Sequence, residues 1–234
     1  MASFIIRALP NTLTCCNLIS GVIATKCAFD GQFDWALTFI VIGAVFDFFD
    51  GFAARLLHVS SPIGKELDSL ADVVTFGVAP SAIVYMFLNG INVIASPFNN
   101  LLPYVAFLIA AFSALRLAKF NLDERQTTSF IGLPTPANAL FWGALILGIN
   151  QWGAERLMPA GYYLILLLIF IFSGLLVSEI PMFALKFKHF RWKGNAIRYG
   201  FIFSAIIGIT LFQIAGISLL IVWYVLLSIL TQKK

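Results

Sequence analysis

The stretch FDFFDGFAARLLHVSSPIGKELDSLADVVTFGVAP, residues 46–80, sets four aspartates, Asp47, Asp50, Asp68 and Asp72, into otherwise apolar surroundings. The first pair is three residues apart and the second four, the intervals at which two side chains share one face of an α-helix. An ionised carboxylate at bilayer depth costs at least ~2.5 kcal/mol even on the most lenient insertion scale, so each of the four needs a compensating partner. A short loop separates the pairs. It predicts two helices packed as an antiparallel hairpin, with both carboxylate pairs at the same end.

The rest of the chain supports a membrane setting. Hydrophobic residues make up 60% and charged residues 11% of the sequence, whereas a soluble domain carries about a quarter charged residues. Mean hydropathy is +0.94. Apolar runs near the roughly 20 residues of a bilayer-spanning helix recur from end to end, without the ~10-residue alternation of a membrane β-barrel. The fold class is therefore all-α, a polytopic membrane protein of one domain with no internal repeat. Eight helices are predicted, over 10–29, 33–57, 62–88, 102–121, 134–151, 159–181, 196–213 and 216–231. Residues 1–10 and the run after them lack a small-residue cleavage pattern, so the first helix is expected to direct insertion itself. Cys15, Cys16 and Cys27 share that helix. Neighbouring positions diverge by about 100°, and eleven residues span roughly 16 Å, so free thiols are expected.

Charge asymmetry orients the helices. With the N-terminus in the cytoplasm, Arg7, Arg55, Lys65, Arg116, Lys119, Arg125, the basic residues of 186–198, Lys233 and Lys234 all fall on the cytoplasmic side. Only Lys26 and Arg156 fall on the other. Both termini and the aspartates are then cytoplasmic. The segment KFKHFRWKGNAIR, residues 186–198, reads as an interfacial anchor, and the net charge of +4 as contact with anionic headgroups rather than nucleic acid.

Carboxylates gathered at one point repel unless cations sit among them, and hard divalent ions suit an all-oxygen site. Gly51 and Gly64 permit close approach to backbone, and Arg55 offers a planar fork of donors to phosphate. Carboxylates, small residues and a basic fork together describe a metal site for a phosphate-bearing substrate. Two alternatives stay open on spacing alone. One is a proton or cation relay in a transporter; the other is structural pairing of the aspartates with Arg55 and Lys65. His58 reads as an interfacial loop residue and Glu66 as solvated. Glu179 is expected to pair with local basic residues.

Written as a pattern, the stretch reads DxxDGxxAR, eight residues, then GxxxDxxxD. It resembles the signature of the membrane CDP-alcohol phosphotransferases at every fixed position. SLADVVTFGVAP, with LPNTLTCCNLISG near the N-terminus, ALRLAKFN at 114–121 and FIGLPTPANA at 130–139, is similar to the phosphatidylserine synthase branch of that family. The lysine that follows the aspartate in the phosphatidylglycerophosphate branch is absent.

The resemblance implies displacement of CMP from CDP-diacylglycerol by the hydroxyl of L-serine. Its cofactor would be a divalent cation, Mg²⁺ or Mn²⁺ with Ca²⁺ as a further option, held by Asp47, Asp50, Asp68 and Asp72. Asp72 would also be the general base. The CDP-lipid would contact Asn11, Thr14, Asn17, Gly51, Ala54, Arg55 and Gly64, and serine would contact Arg116, Lys119 and Asn121. Pro134 and Pro136 would shape the substrate entrance. The resemblance further implies a catalytic core over 1–181, a basic loop and two more helices over 182–234, and a homodimer among membrane lipids. A different acceptor alcohol, such as inositol phosphate or glycerol phosphate, is the alternative within the class, and a transporter the alternative outside it.

Overall fold

The computed structural model describes residues 2–59, 61–91, 101–123, 130–153, 160–182 and 195–231. Its helices are α1 (Ala2–Phe29), α2 (Phe33–Leu56), α3 (Pro62–Asp72), α4 (Ala79–Asn89), α5 (Leu108–Leu122), α6 (Thr135–Trp152), α7 (Ala160–Val177), α8 (Ala196–Phe212) and α9 (Ala215–Leu230). A π-helical turn, Val73–Val78, joins α3 to α4 in one continuous rod, and a 3₁₀ segment, Leu102–Phe107, opens α5. Two short strands, β1 (Phe130–Ile131) and β2 (Pro181–Met182), pair antiparallel.

Among the described residues, five stretches are long and apolar enough to cross a membrane: Ala8–Phe29, Phe33–Leu56, Pro62–Asn89, Leu102–Leu122 and Ala160–Val177. This is an all-α membrane protein. α8 and α9 are apolar but shorter, and α6 is diluted by Thr135, Asn138, Asn150 and Gln151. The helix predicted over 159–181 stops at Val177. Pro181 has no N–H to donate, and it disfavours the helical region for Ile180, so the chain turns into β2.

Start signals are local. Ser61 caps α3 by accepting the Gly64 N–H at 3.0 Å, with Pro62 in the first helical position. His58 takes a left-handed φ of 51° at the end of the turn after α2.

The packing differs from the predicted hairpin. α1 lies along α2 and also packs on α3, the π turn and α4, whereas α2 and α3 scarcely touch through their backbones. α1 can come so close because it presents Gly21 to the π turn. A Cβ there would stand 2.7 Å from Thr75 Cα and 2.8 Å from Thr75 N, closer than real Cβ atoms come. The Thr75 hydroxyl donates to the Asn17 carbonyl at 3.0 Å across this crossing. α5 crosses the same turn on its other side. A Cβ on Gly77 would meet Ser113 Cβ at 3.1 Å and Ala110 Cα at 3.4 Å. The π turn is thus clamped between α1 and α5.

The apolar core runs through α4, α6 and α7, with Ile83, Trp142 and Ile169 fully buried and Phe141 stacked on Phe172 at 3.7 Å between centroids. α9 docks on α6, where the Ser218 hydroxyl donates to the Phe141 carbonyl at 3.1 Å, and α8 packs on α9.

Candidate active site

Asp47 and Asp50 leave the last turns of α2, and Asp68 and Asp72 the last two turns of α3. One carboxylate oxygen from each of Asp47, Asp50 and Asp68 lies within 4.8 Å of the others. Asp72 completes the group, since the Asp47 carboxyl lies against those of both Asp68 and Asp72. At that separation two ionised oxygens repel by about 3.5 kcal/mol at an effective dielectric of ~20. None of the four aspartates forms an ion pair with Lys or Arg among the described residues. Lys65 instead donates to the Asn121 carbonyl at 3.0 Å, which removes it as a structural counter-ion. Asp68 Oδ1 is buried with no hydrogen-bond partner among the described residues. An all-oxygen donor set, mutually repelling and with an orphaned buried oxygen, fits a hard divalent cation.

α1 supplies the neutral donors that hold this set. The Thr14 hydroxyl stands 2.6 Å from Asp50 Oδ2 and 3.0 Å from the Pro10 carbonyl. One turn on, Asn17 Nδ2 donates to Asp72 Oδ1 at 3.1 Å. Both side chains are buried, so each is directed at a carboxylate rather than at open space. Asn11, the first member of this 11–14–17 stripe, faces Gly64, where an added Cβ would come within 3.0 Å of Asn11 Oδ1. Arg55 is exposed and folds back over Gly51, its Nη1 3.4 Å from where a Cβ would stand. Ala54 is half-buried on the same turn.

Of the residues predicted to meet serine, Arg116 and Lys119 line a cavity of about 320 Å³ together with Ile131, Val177, Ser178 and Glu179. Arg116 is only 6% exposed, its guanidinium lies 5.3 Å from the Phe120 ring centroid, and its Nε has no hydrogen-bond partner among the described residues. The charge of Asp72 reaches it, which places the cavity beside the aspartate group. Lys119 Nζ donates to the Val177 carbonyl at 3.2 Å. Asn121 lies outside the cavity lining. Its amide donates to Ser69 Oγ at 2.8 Å and ties α5 to α3.

Sequence reasoning missed several features. The stretch that carries the branch resemblance, VVTFGV, is the π turn itself, which sits directly after Asp72 and is gripped by α1 and α5. It also missed Ser178 and Glu179 as cavity residues; the Pro181 break after α7 was the signal that their backbone leaves the helix. Among the described residues, buried polar atoms without a partner on Thr135, Asn138 and Ser173 lie where the start of α6 meets the end of α7, so that end carries polar groups well inside the bundle. Most of the predicted basic anchor, residues 186–194, lies outside the described residues, as do Arg125 and Arg156.

The model of the CDP-alcohol phosphatidyltransferase family matches residues 7–177. A CDP-diacylglycerol–serine O-phosphatidyltransferase of Bacillus subtilis is 36% identical over 157 residues, covering 64% of this chain and 85% of the relative. One of Helicobacter pylori is 35% identical over 185 residues, covering 78% of this chain and 74% of the relative. An archaetidylserine synthase of Methanothermobacter thermautotrophicus is 33% identical over 148 residues, covering 60% and 57%.

Proposed function

The chain belongs to the CDP-alcohol phosphatidyltransferase family, and from that premise we propose that it is a phosphatidylserine synthase, moving the phosphatidyl group of CDP-diacylglycerol to L-serine with release of CMP. The observation that carries the reading is the convergence of the four carboxylates, none of them in an ion pair with Lys or Arg among the described residues, in a chain whose relatives are named for transfer to serine.

Asp47, Asp50 and Asp68 would hold the divalent cation, with Asp72 at its edge. Such an ion supplies charge neutralisation at the diphosphate and makes CMP a better leaving group. Arg55 would contact phosphate, and the turn Gly51–Ala54, with Asn11 and Gly64, would border the nucleotide. Thr14 and Asn17 act on the reaction through Asp50 and Asp72, whose carboxylates they orient. Arg116 would take the carboxylate of serine, for which a guanidinium fork suits bidentate recognition, and Lys119 would add a point charge. Asp72 then accepts the proton of the serine hydroxyl as its oxygen attacks the phosphatidyl phosphorus. The bond from that phosphorus to the oxygen of CMP breaks in the same displacement, and no covalent enzyme intermediate forms.

The same reading places the site and both termini on the cytoplasmic face. It counts eight crossings, with α6, α8 and α9 joining the five long spans, in one integral-membrane domain. The core is 1–181, and the basic loop and last two helices occupy 182–234. The homodimer rests on the resemblance alone. The test uses purified protein in detergent with CDP-diacylglycerol, Mg²⁺ or Mn²⁺, and L-serine, inositol phosphate or glycerol phosphate as acceptor. Phosphatidylserine by mass, with CMP released in equal amount, is expected. Turnover with another acceptor only would overturn the branch, and no turnover by folded protein would overturn the enzyme.

A further inference from the structure

The cavity beside Asp72 carries both signs of charge. Arg116 is nearly fully buried in its wall, with an unpartnered Nε, while Lys119 and Glu179 are exposed at its mouth, together with the half-buried Asp123. A guanidinium in the wall suits a carboxylate, and a carboxylate at the entrance suits an ammonium. A zwitterion with a carboxylate at one end and an ammonium at the other matches both.

The backbone that presents Glu179 is fixed on two sides. The Gly132 N–H donates to the Ile180 carbonyl at 2.9 Å, and Ile131 pairs with Pro181 in the two-stranded sheet. The Leu133 N–H donates to the Leu175 carbonyl at 3.0 Å. Gly132 makes this strap possible. Its φ is +75°, and a Cβ on it would stand 2.6 Å from the Leu176 carbonyl oxygen. The FIGLPTP segment therefore lies flat on the C-terminal end of α7 and holds residues 178–182 against the cavity.

We propose that this cavity is an amino-acid site in which Glu179 binds the α-ammonium of the acceptor while Arg116 binds its α-carboxylate. Glu179 is thereby the residue that separates L-serine from alcohols lacking an ammonium group. The inference rests on the reading of serine as acceptor.

The test compares wild-type protein with Glu179→Gln and Glu179→Asp. It measures KM for L-serine, KM for CDP-diacylglycerol, and the inhibition constant of glycerate against serine. Glycerate keeps the carboxylate and primary hydroxyl of serine and replaces the ammonium with a neutral hydroxyl. Loss of a charge-assisted contact should raise the serine KM of Glu179→Gln about tenfold or more. The glycerate constant and the CDP-diacylglycerol KM should hold, and Glu179→Asp should recover part of the loss. Equal shifts for serine and glycerate, or no shift for either, would overturn the assignment while leaving serine as acceptor. A wild-type protein that makes no phosphatidylserine would overturn the acceptor reading, and this inference with it.

Discussion

Replacing Asn17 by Leu removes one hydrogen bond and little else. The two side chains have similar shape, Asn17 is fully buried, and its backbone carbonyl still receives the Thr75 hydroxyl. What is lost is the amide donated to Asp72 Oδ1 at 3.1 Å. A hydrogen bond to a charged group contributes about 1.5–3 kcal/mol, and 3.1 Å lies toward the long end of the usual range, which favours the lower half of that interval. If the bond holds Asp72 in its reactive orientation, kcat should fall about 10- to 45-fold. Among the described residues Asn17 Oδ1 is buried without a partner, so an apolar replacement also removes an unsatisfied acceptor, which offsets part of the stability lost where Asp72 Oδ1 loses its donor. Steady-state phosphatidylserine formation, with CDP-diacylglycerol and serine varied separately, gives the split. The expected result is a lower kcat with both KM values held. A higher KM for CDP-diacylglycerol at unchanged kcat would mean that Asn17 meets the nucleotide rather than orienting Asp72, and would refute the reasoning.

Arg116→Ala should raise the serine KM at least tenfold and leave that for CDP-diacylglycerol unchanged, because a buried guanidinium would lose its fork to the carboxylate; an unchanged serine KM removes Arg116 from the site. Asp47→Asn should weaken Mn²⁺ binding, read by titration in detergent, and lower turnover at least about a hundredfold, since metal stabilisation of the developing charge contributes several kcal/mol. Gly21→Ala drives a methyl into the Thr75 backbone and should destabilise the protein by about 1–3 kcal/mol, visible as a lower midpoint of thermal unfolding; an unchanged midpoint would show that the α1 crossing yields easily.

The aspartate group was legible in the sequence because it depends only on helical period and one short loop. Spacings of three and four put each pair on one face, and the loop brought the pairs to one end. The way they meet was not legible. A hairpin of α2 on α3 was expected, but α1 packs on both, since Gly21 lets α1 approach the π turn more closely than a side-chain-bearing position could, and Gly43 of α2 leaves room for Asn17 Oδ1 and the Thr75 methyl. That packing turns Thr14 and Asn17 toward carboxylates, a relation no local pattern encodes. The π turn also escaped, because period-based reading assumes 3.6 residues per turn throughout, and a turn of this kind shifts every later side chain around the helix. Glu179 was expected only to pair with local basic residues, for a similar reason. Its place in the cavity depends on a strap from residues 130–133, far away in sequence.

The most direct test of the central claim, that the four carboxylates work through a divalent cation, is phosphatidylserine formation by purified protein stripped with chelator and then titrated with Mg²⁺. The account predicts no product in chelator, recovery in the wild type on adding metal, and no recovery in Asp68→Asn. Undiminished phosphatidylserine formation in excess chelator would contradict it.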